Sequence, residues 1–352
     1  MNAYPQGRRS RSLAVIAILS LMLALGGMLA SSLGSAPVPL GNVARILLDK
    51  LPGLYLAPAW SASEEAIIVQ IRLPRVFTAM AVGAALATAG VIFQGLLRNP
   101  MADPYIIGTS GGAAFGATLA LLTLAHLRIL WFGFTLVSLC AFAGAMLAVL
   151  IVYNIARVGQ RTPITTLLLS GFALSSMLAA LMSFIMVLSQ SSLRRIVFWT
   201  MGGLSASTWP QIRIAGPIIL ASIFLSYLFA TDLNAFLLGD EQAAALGVEV
   251  EERKFLLLML GSLLTGAAVS ISGLVGFVGL VTPHIVRLLL GPDHRLLLPA
   301  SALVGGLFLL LSDLLARLIM APAEIPVGII TAMVGAPFFI YLLRRSKKEY
   351  IF

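Results

Sequence analysis

Charge is what this chain has least of. Only 11% of its 352 residues are Asp, Glu, Lys or Arg, against 59% hydrophobic residues and a mean hydropathy of +1.01. A soluble domain carries about 25% charged residues, so a water-facing globular fold is excluded and a polytopic membrane protein is expected. The lone cysteine, Cys140, sits inside an apolar run, which excludes an intrachain disulfide or a cysteine metal cluster. The three histidines, His126, His284 and His294, show no metal-ligand spacing. No Gly-Lys dipeptide occurs, so a G-x-x-x-x-G-K phosphate loop is absent and the chain is not expected to be an ATPase. The net charge of +9 is scattered between apolar runs, which points to orientation in a bilayer and not to nucleic acid.

What is there instead is a succession of charge-free runs, each near the 20 residues that cross about 30 Å of hydrocarbon. They lie at 13–32, 76–97, 104–125, 129–156, 162–193 and 214–231. Arg8, Arg9 and Arg11 precede the first, which is longer than a signal-peptide core and reads as an uncleaved span. Residues 33–71, with Pro37, Pro39, Pro52 and Pro58, read as a polar loop, and 196–212 as a short helix plus turn. The stretch 255–286 is too long for one span; Ser272-Gly273 and Gly276 break it into a span and a shorter helix. Runs 296–316 and 325–343 bring the count to ten spans in one domain, 1–352, of all-α class. Placing both termini in the cytoplasm puts 14 of the 23 Lys and Arg inside and 9 outside, in line with the positive-inside rule.

One segment breaks the pattern. Residues 232–254 hold eight charges in 23 residues, which cannot lie in hydrocarbon. Within it, apolar residues alternate with Gly239, Asp240-Glu241 and Gly247, the pattern of two short helical turns hinged at the first glycine and stopped at the second. A folded, amphipathic loop with an acidic edge suits docking of a soluble partner; a merely solvated connector is the plain alternative.

Five stretches together resemble the FecCD family: IRLPR (71–75), GLLRNPMADPYIIGTSGGAAFGA (95–117), LGDEQAAALGV (238–248), SGLVGFVGLVTPHIVRLLLGPDHRLLLPASALVGG (272–306) and DLLARLIMAPAEIPVGIITAMVGAPFFIYLL (313–343). These are permease subunits of type II ABC importers for iron–siderophores, haem and vitamin B12. The resemblance implies a ten-span fold, a homodimer with a second permease copy, two copies of an ATPase subunit that carry the ATP-Mg, and a periplasmic or lipid-anchored substrate-binding protein. It places the chain in the bacterial or archaeal inner membrane among lipid, with no cofactor of its own and ferric siderophore as the first substrate choice, ahead of cobalamin or haem.

By the same resemblance, Gly239, Asp240, Glu241, Ala244, Leu246 and Gly247 fill the groove of the ATPase. Arg72, Arg75 and Arg317 face glutamates of the binding protein, a task suited to guanidinium forks; snorkelling to lipid phosphate is the plain alternative. Met101, Ile164 and Thr165 match the cytoplasmic gate, where helix capping by the neighbouring Thr and Asn is the plain alternative. Asp313, four residues before Arg317, is expected to form a helical ion pair with it. The rival reading, a transporter driven by an ion gradient, needs an intramembrane acid or histidine relay, and the chain offers only Asp313.

Overall fold

The computed structural model describes residues 6–54, 56–57, 59–123, 130–131, 134–159 and 161–346. The basic residues Lys347 and Lys348 and His126 lie outside the described residues.

The fold is built around α4 (Leu73–Leu96). Its sequence is mostly Ala, Gly and Val with no polar face, so no side of it suits water or calls for lipid in preference to protein. It accordingly packs against α12 (Val250–Ser272), α13 (Val278–Leu290) and α14 (His294–Leu318). A second group pairs α5 (Thr109–Thr123) with α6 (Leu136–Ala156), joined by α7 (Ile164–Leu188). Glycines bring α5 and α6 together: a Cβ on Gly112 would overlap the carbonyl of Gly144. α1 (Gln6–Ser32) lies along α14, α9 (Trp209–Leu228) along α12 and α4, and α15 (Val327–Ser346) against α14.

Among the described residues, seven helices are long and apolar enough to cross a membrane; α5, α13 and the apolar part of α15 (Val327–Tyr341) are shorter. These ten match the ten expected runs. The break at 273–277 is present, with Gly273 in a left-handed conformation at φ 67° closing α12. Two helices bury little inside the chain: 17% of the membrane-length window of α1 and 11% of that of α7, which leaves apolar faces for lipid or a second protein.

The segment 33–71 corrects the expectation of a loop. It contains α2 (Leu40–Asp49), whose Val43 and Ile46 pack with Val38 and Ile68 in a small core of their own. It also holds the start of a 35-residue rod, Ala62–Leu96, in which α3 (Ala62–Ala66) runs through a π-helical turn, Ile67–Arg72, into α4. Pro37, Pro39 and Pro52 sit before and between these helices, where they do not oppose them. A capping box starts the rod: Ser61 Oγ accepts the Glu64 amide at 3.2 Å, and Glu64 Oε2 accepts the Ser61 amide at 2.8 Å. Within the π turn, the carbonyl of Val69 accepts a hydrogen bond from Trp209 Nε1 at 2.8 Å. Ser61→Ala should therefore lower stability by about 1 kcal/mol, read as a shift in the denaturation midpoint.

Two other boundaries move. α6 begins at Leu136, not 129, after a short hairpin of β1 (Leu130–Trp131) and β2 (Phe134–Thr135). The fifth run ends at Leu188, and α8 (Gln190–Thr200) follows a bend at Ser189.

Candidate functional site

The acidic segment folds into α10 (Ala230–Phe236) and α11 (Asp240–Ala245), separated by a turn at Leu237–Gly239. Gly239 has φ 112° and Gly247 φ 87°, conformations that side chains rarely adopt, so both glycines are needed for the turns they make. Leu233, Phe236 and Ala243 point into the core, which fixes the loop on the body. Its outer surface carries Leu237, Leu238 and Leu246, 41%, 62% and 66% exposed, beside Glu241, Ala244 and Gly247, also exposed. Of the six residues expected at this surface, four are presented outward; Gly239 is buried and Asp240 is half-buried.

Polar side chains anchor the loop. Asn234 Nδ2 donates to Asp293 Oδ1 at 2.9 Å, and Asn234 Oδ1 accepts the His294 amide at 2.9 Å, tying α10 to the start of α14. Asp232 pairs with Arg253 at 3.4 Å, and Arg253 lies over the Phe229 ring at 5.2 Å. Asp293 is held below the usual carboxylate range: burial opposes this, but bonds from Asn234 and the Arg295 amide outweigh it.

The three residues expected at a gate lie just after α4 and at the start of α7. Met101 follows α4 and lines a small pocket with Pro100, Leu280, Val281, His284 and Phe339. Ile164 is half-buried against the main core and Thr165 is exposed at the start of α7. Asn99 Oδ1 accepts the Met101 amide at 2.9 Å, the turn-forming bond that asparagine readily makes.

At the opposite end of the helices lies a second cluster, formed around the three arginines expected to face a binding protein. Arg72, Arg75 and Arg317 are turned inward, 5%, 8% and 6% exposed. Arg75 donates from Nε and Nη2 to Asp313 at 2.8–3.0 Å and from Nη1 to Glu324 at 2.9 Å. Arg317 Nε stands 3.2 Å from Asp313 Oδ2, the expected pair, though its angle makes no hydrogen bond. The rest of the cluster caps α1. Arg72 donates to the carbonyls of Ser31, Ser32 and Ala36, the Ser31 bond being 2.7 Å; Arg317 donates to Ala30 at 3.1 Å and Leu33 at 3.3 Å.

The last carbonyls of a helix have no partner within it and carry its negative dipole end. Two arginines satisfy both needs at once. That structural task accounts for cations at this end of the bundle, and it occupies the forks expected to bind carboxylates of another protein. Within the cluster only Glu324 is substantially accessible, its side chain 40% exposed.

Residues 19–345 match the model of the FecCD transport family. The chain belongs to the FecCD transport family. It is 42% identical over 340 residues to the cobalamin import system permease protein BtuC of Halobacterium salinarum, covering 97% of this chain and 90% of that one. It is 41% identical over 287 residues to the hemin transport system permease protein HmuU of Yersinia pestis, 80% and 84% of the two chains. A solved structure described as an inward-facing conformation of a metal-chelate type ABC transporter superposes with a TM-score of 0.78 at 31% identity, over 95% of this chain and 99% of that one. The FecCD match runs from within α1 into α15 and takes in the acidic loop and the arginine cluster, and the chain is a multi-pass membrane protein.

Proposed function

We propose that this chain is the membrane-spanning permease of an ABC importer that moves a bulky metal chelate into the cytoplasm. A separate ATPase subunit, two copies per transporter and each carrying ATP-Mg, drives it, and a substrate-binding protein delivers the chelate at the other face. The observation that carries the reading is the folded loop of α10 and α11, rigidly seated by Asn234, Leu233 and Phe236 yet presenting Leu238, Leu246 and Glu241 to solvent. A membrane protein gains nothing from exposed leucines on a charged loop unless a partner covers them. Apolar contact at the centre with a charged edge is the anatomy of a docking site. The loop end then faces the cytoplasm, with both termini on that side.

The apolar faces left on α7 and α1 suit a second copy of the chain and lipid. Docking of the binding protein falls to the opposite end. In the cluster there, the accessible group is Glu324, its side chain 40% exposed and paired with Nη1 of Arg75. The names of the relatives make cobalamin and haemin substrates to try, and ferric siderophores complete the panel.

The test is reconstitution. The chain, purified with its ATPase, is mixed with binding protein loaded from that panel, and stimulated ATP hydrolysis names the substrate. Glu241→Arg combined with Gly239→Pro should abolish that stimulation, because proline cannot adopt φ 112° and the charge at the edge is reversed. Undiminished stimulated hydrolysis in this folded variant would sink the reading, as would uptake that needs only an ion gradient.

A further inference from the structure

α4 ends in a way that is unusual for its sequence. The Asn99 amide donates to the carbonyl of Gln94 at 3.2 Å and the Arg98 amide to that of Gly95 at 3.3 Å, the paired bonds of a Schellman turn. The left-handed position of that turn ordinarily belongs to glycine. Here it is Arg98, at φ 49°, one of only two non-glycine residues with positive φ among the described residues. An arginine held where glycine is easier suggests that its side chain is needed.

That side chain reaches the acidic loop. Arg98 Nη2 stands 3.5 Å from Asp240 Oδ1, at the first residue of α11. The other oxygen of Asp240 accepts from Lys254 Nζ at 2.6 Å. Lys254, its side chain only 13% exposed, is also 3.4 Å from Glu251 Oε1, and Glu251 Oε2 accepts the amide of Thr162 at 2.9 Å. Thr162 leads directly into α7 and so into Ile164 and Thr165. The series Arg98–Asp240–Lys254–Glu251–Thr162 therefore joins four pieces: the turn bearing Met101, the loop helix α11, the start of α12, and the start of α7. The same pieces also meet in the apolar core, through Ala102, Ala243 and Ile164, so the ionic series runs alongside an apolar contact.

We propose that Arg98, Asp240, Lys254 and Glu251 form one ionic relay that carries displacement of α11 to both the 98–103 turn and the start of α7. The proposal rests on the importer reading above and assigns positioning residues within it. The Arg98–Asp240 pair is open enough to solvent to add little to folded stability, while the Lys254 contacts are half-buried. As ties between rigid helices, they decide whether the two segments move together.

Arg98→Gly separates these roles, because it relieves the backbone while cutting the tie. Lys254→Met cuts the other arm and keeps the apolar stem. Both variants should fold at least as well as wild type to within a small shift in denaturation midpoint, retain the bound ATPase, and lose transport per ATP by about tenfold, within the range of measured coupling effects. In the permease alone, on a Cys140→Ser background, spin labels at positions 244 and 165 should show a narrow distance distribution that widens in Lys254→Met. An unchanged transport ratio in variants that still hold the ATPase, or an unchanged distribution, overturns the relay alone. Failure of the wild-type chain to hold any ATPase overturns the importer reading and the relay's role with it.

Discussion

Asp313→Ala should destabilise the chain by about 3–5 kcal/mol, the range seen when one partner of a buried ion pair is removed. Asp313 is 1% exposed and, among the described residues, is the one carboxylate within ion-pair distance of both Arg75 and Arg317. Its removal leaves Arg75 with a single acid, Glu324, at the rim, and leaves Arg317 with backbone carbonyls alone. Two guanidiniums, which do not deprotonate in proteins, would then share a site from which water is largely excluded. Glu324→Gln is the contrasting variant. Its side chain is 40% exposed, so solvent screens the pair and the loss should stay within about 1 kcal/mol. Denaturant titration of both variants in detergent checks the pair of values. Equal losses would mean that Asp313 is not the centre of the cluster.

The same residues mark where sequence reasoning stops. The spacing of Asp313 and Arg317 was enough to expect their pairing, because both lie on one helix and the spacing fixes their separation. What Arg72 and Arg317 do for α1 was not legible. The carbonyls of Ala30, Ser31, Ser32, Leu33 and Ala36 have no sequence signature, and lie 36 to 287 residues away along the chain. An arginine at the outer end of a bundle therefore reads as a hand extended to a partner until the helix end it caps is seen. The spans themselves were legible because a hydrocarbon slab imposes a length, and the division of 255–286 followed from that length alone. Segment 33–71 was misjudged for the opposite reason: it obeys no slab, and its prolines mask α2. The Ser61…Glu64 pair was the local signal that a helix begins there. The two glycine stops of the acidic loop were legible because each needs a backbone conformation that few other residues supply. The relay from Arg98 to Thr162 was not, because its charged contacts join parts of the chain that lie far apart in sequence.

Gly90→Val should be as damaging as the loss of Asp313, through a different cause. α4 crosses α13 at Gly90 and α14 at Gly83, seven residues and thus two turns apart on one face. A Cβ on Gly90 would overlap the carbonyl of Gly279 and stand 2.9 Å from its Cα; one on Gly83 would overlap the carbonyl of Gly305 and stand 2.9 Å from the Cα of Gly306. The obstructing atoms are backbone, so no rotamer change clears them, and the helices themselves must part. Overpacking a core costs about 1–3 kcal/mol where side chains can shift; here they cannot, and the expected loss lies at or beyond the top of that range. Without a hydrophobic drive between helices in lipid, close backbone contact is much of what holds them together. Gly216→Ala in α9 supplies the control. Its nearest neighbour would be 3.7 Å away, an ordinary contact, so the variant should fold as wild type does. Folded yield and denaturation midpoint of the two proteins, measured side by side, decide the matter. A stable Gly90→Val chain would mean that α4 and α13 are not held at backbone contact, and the spine assigned to α4 would have to be redrawn.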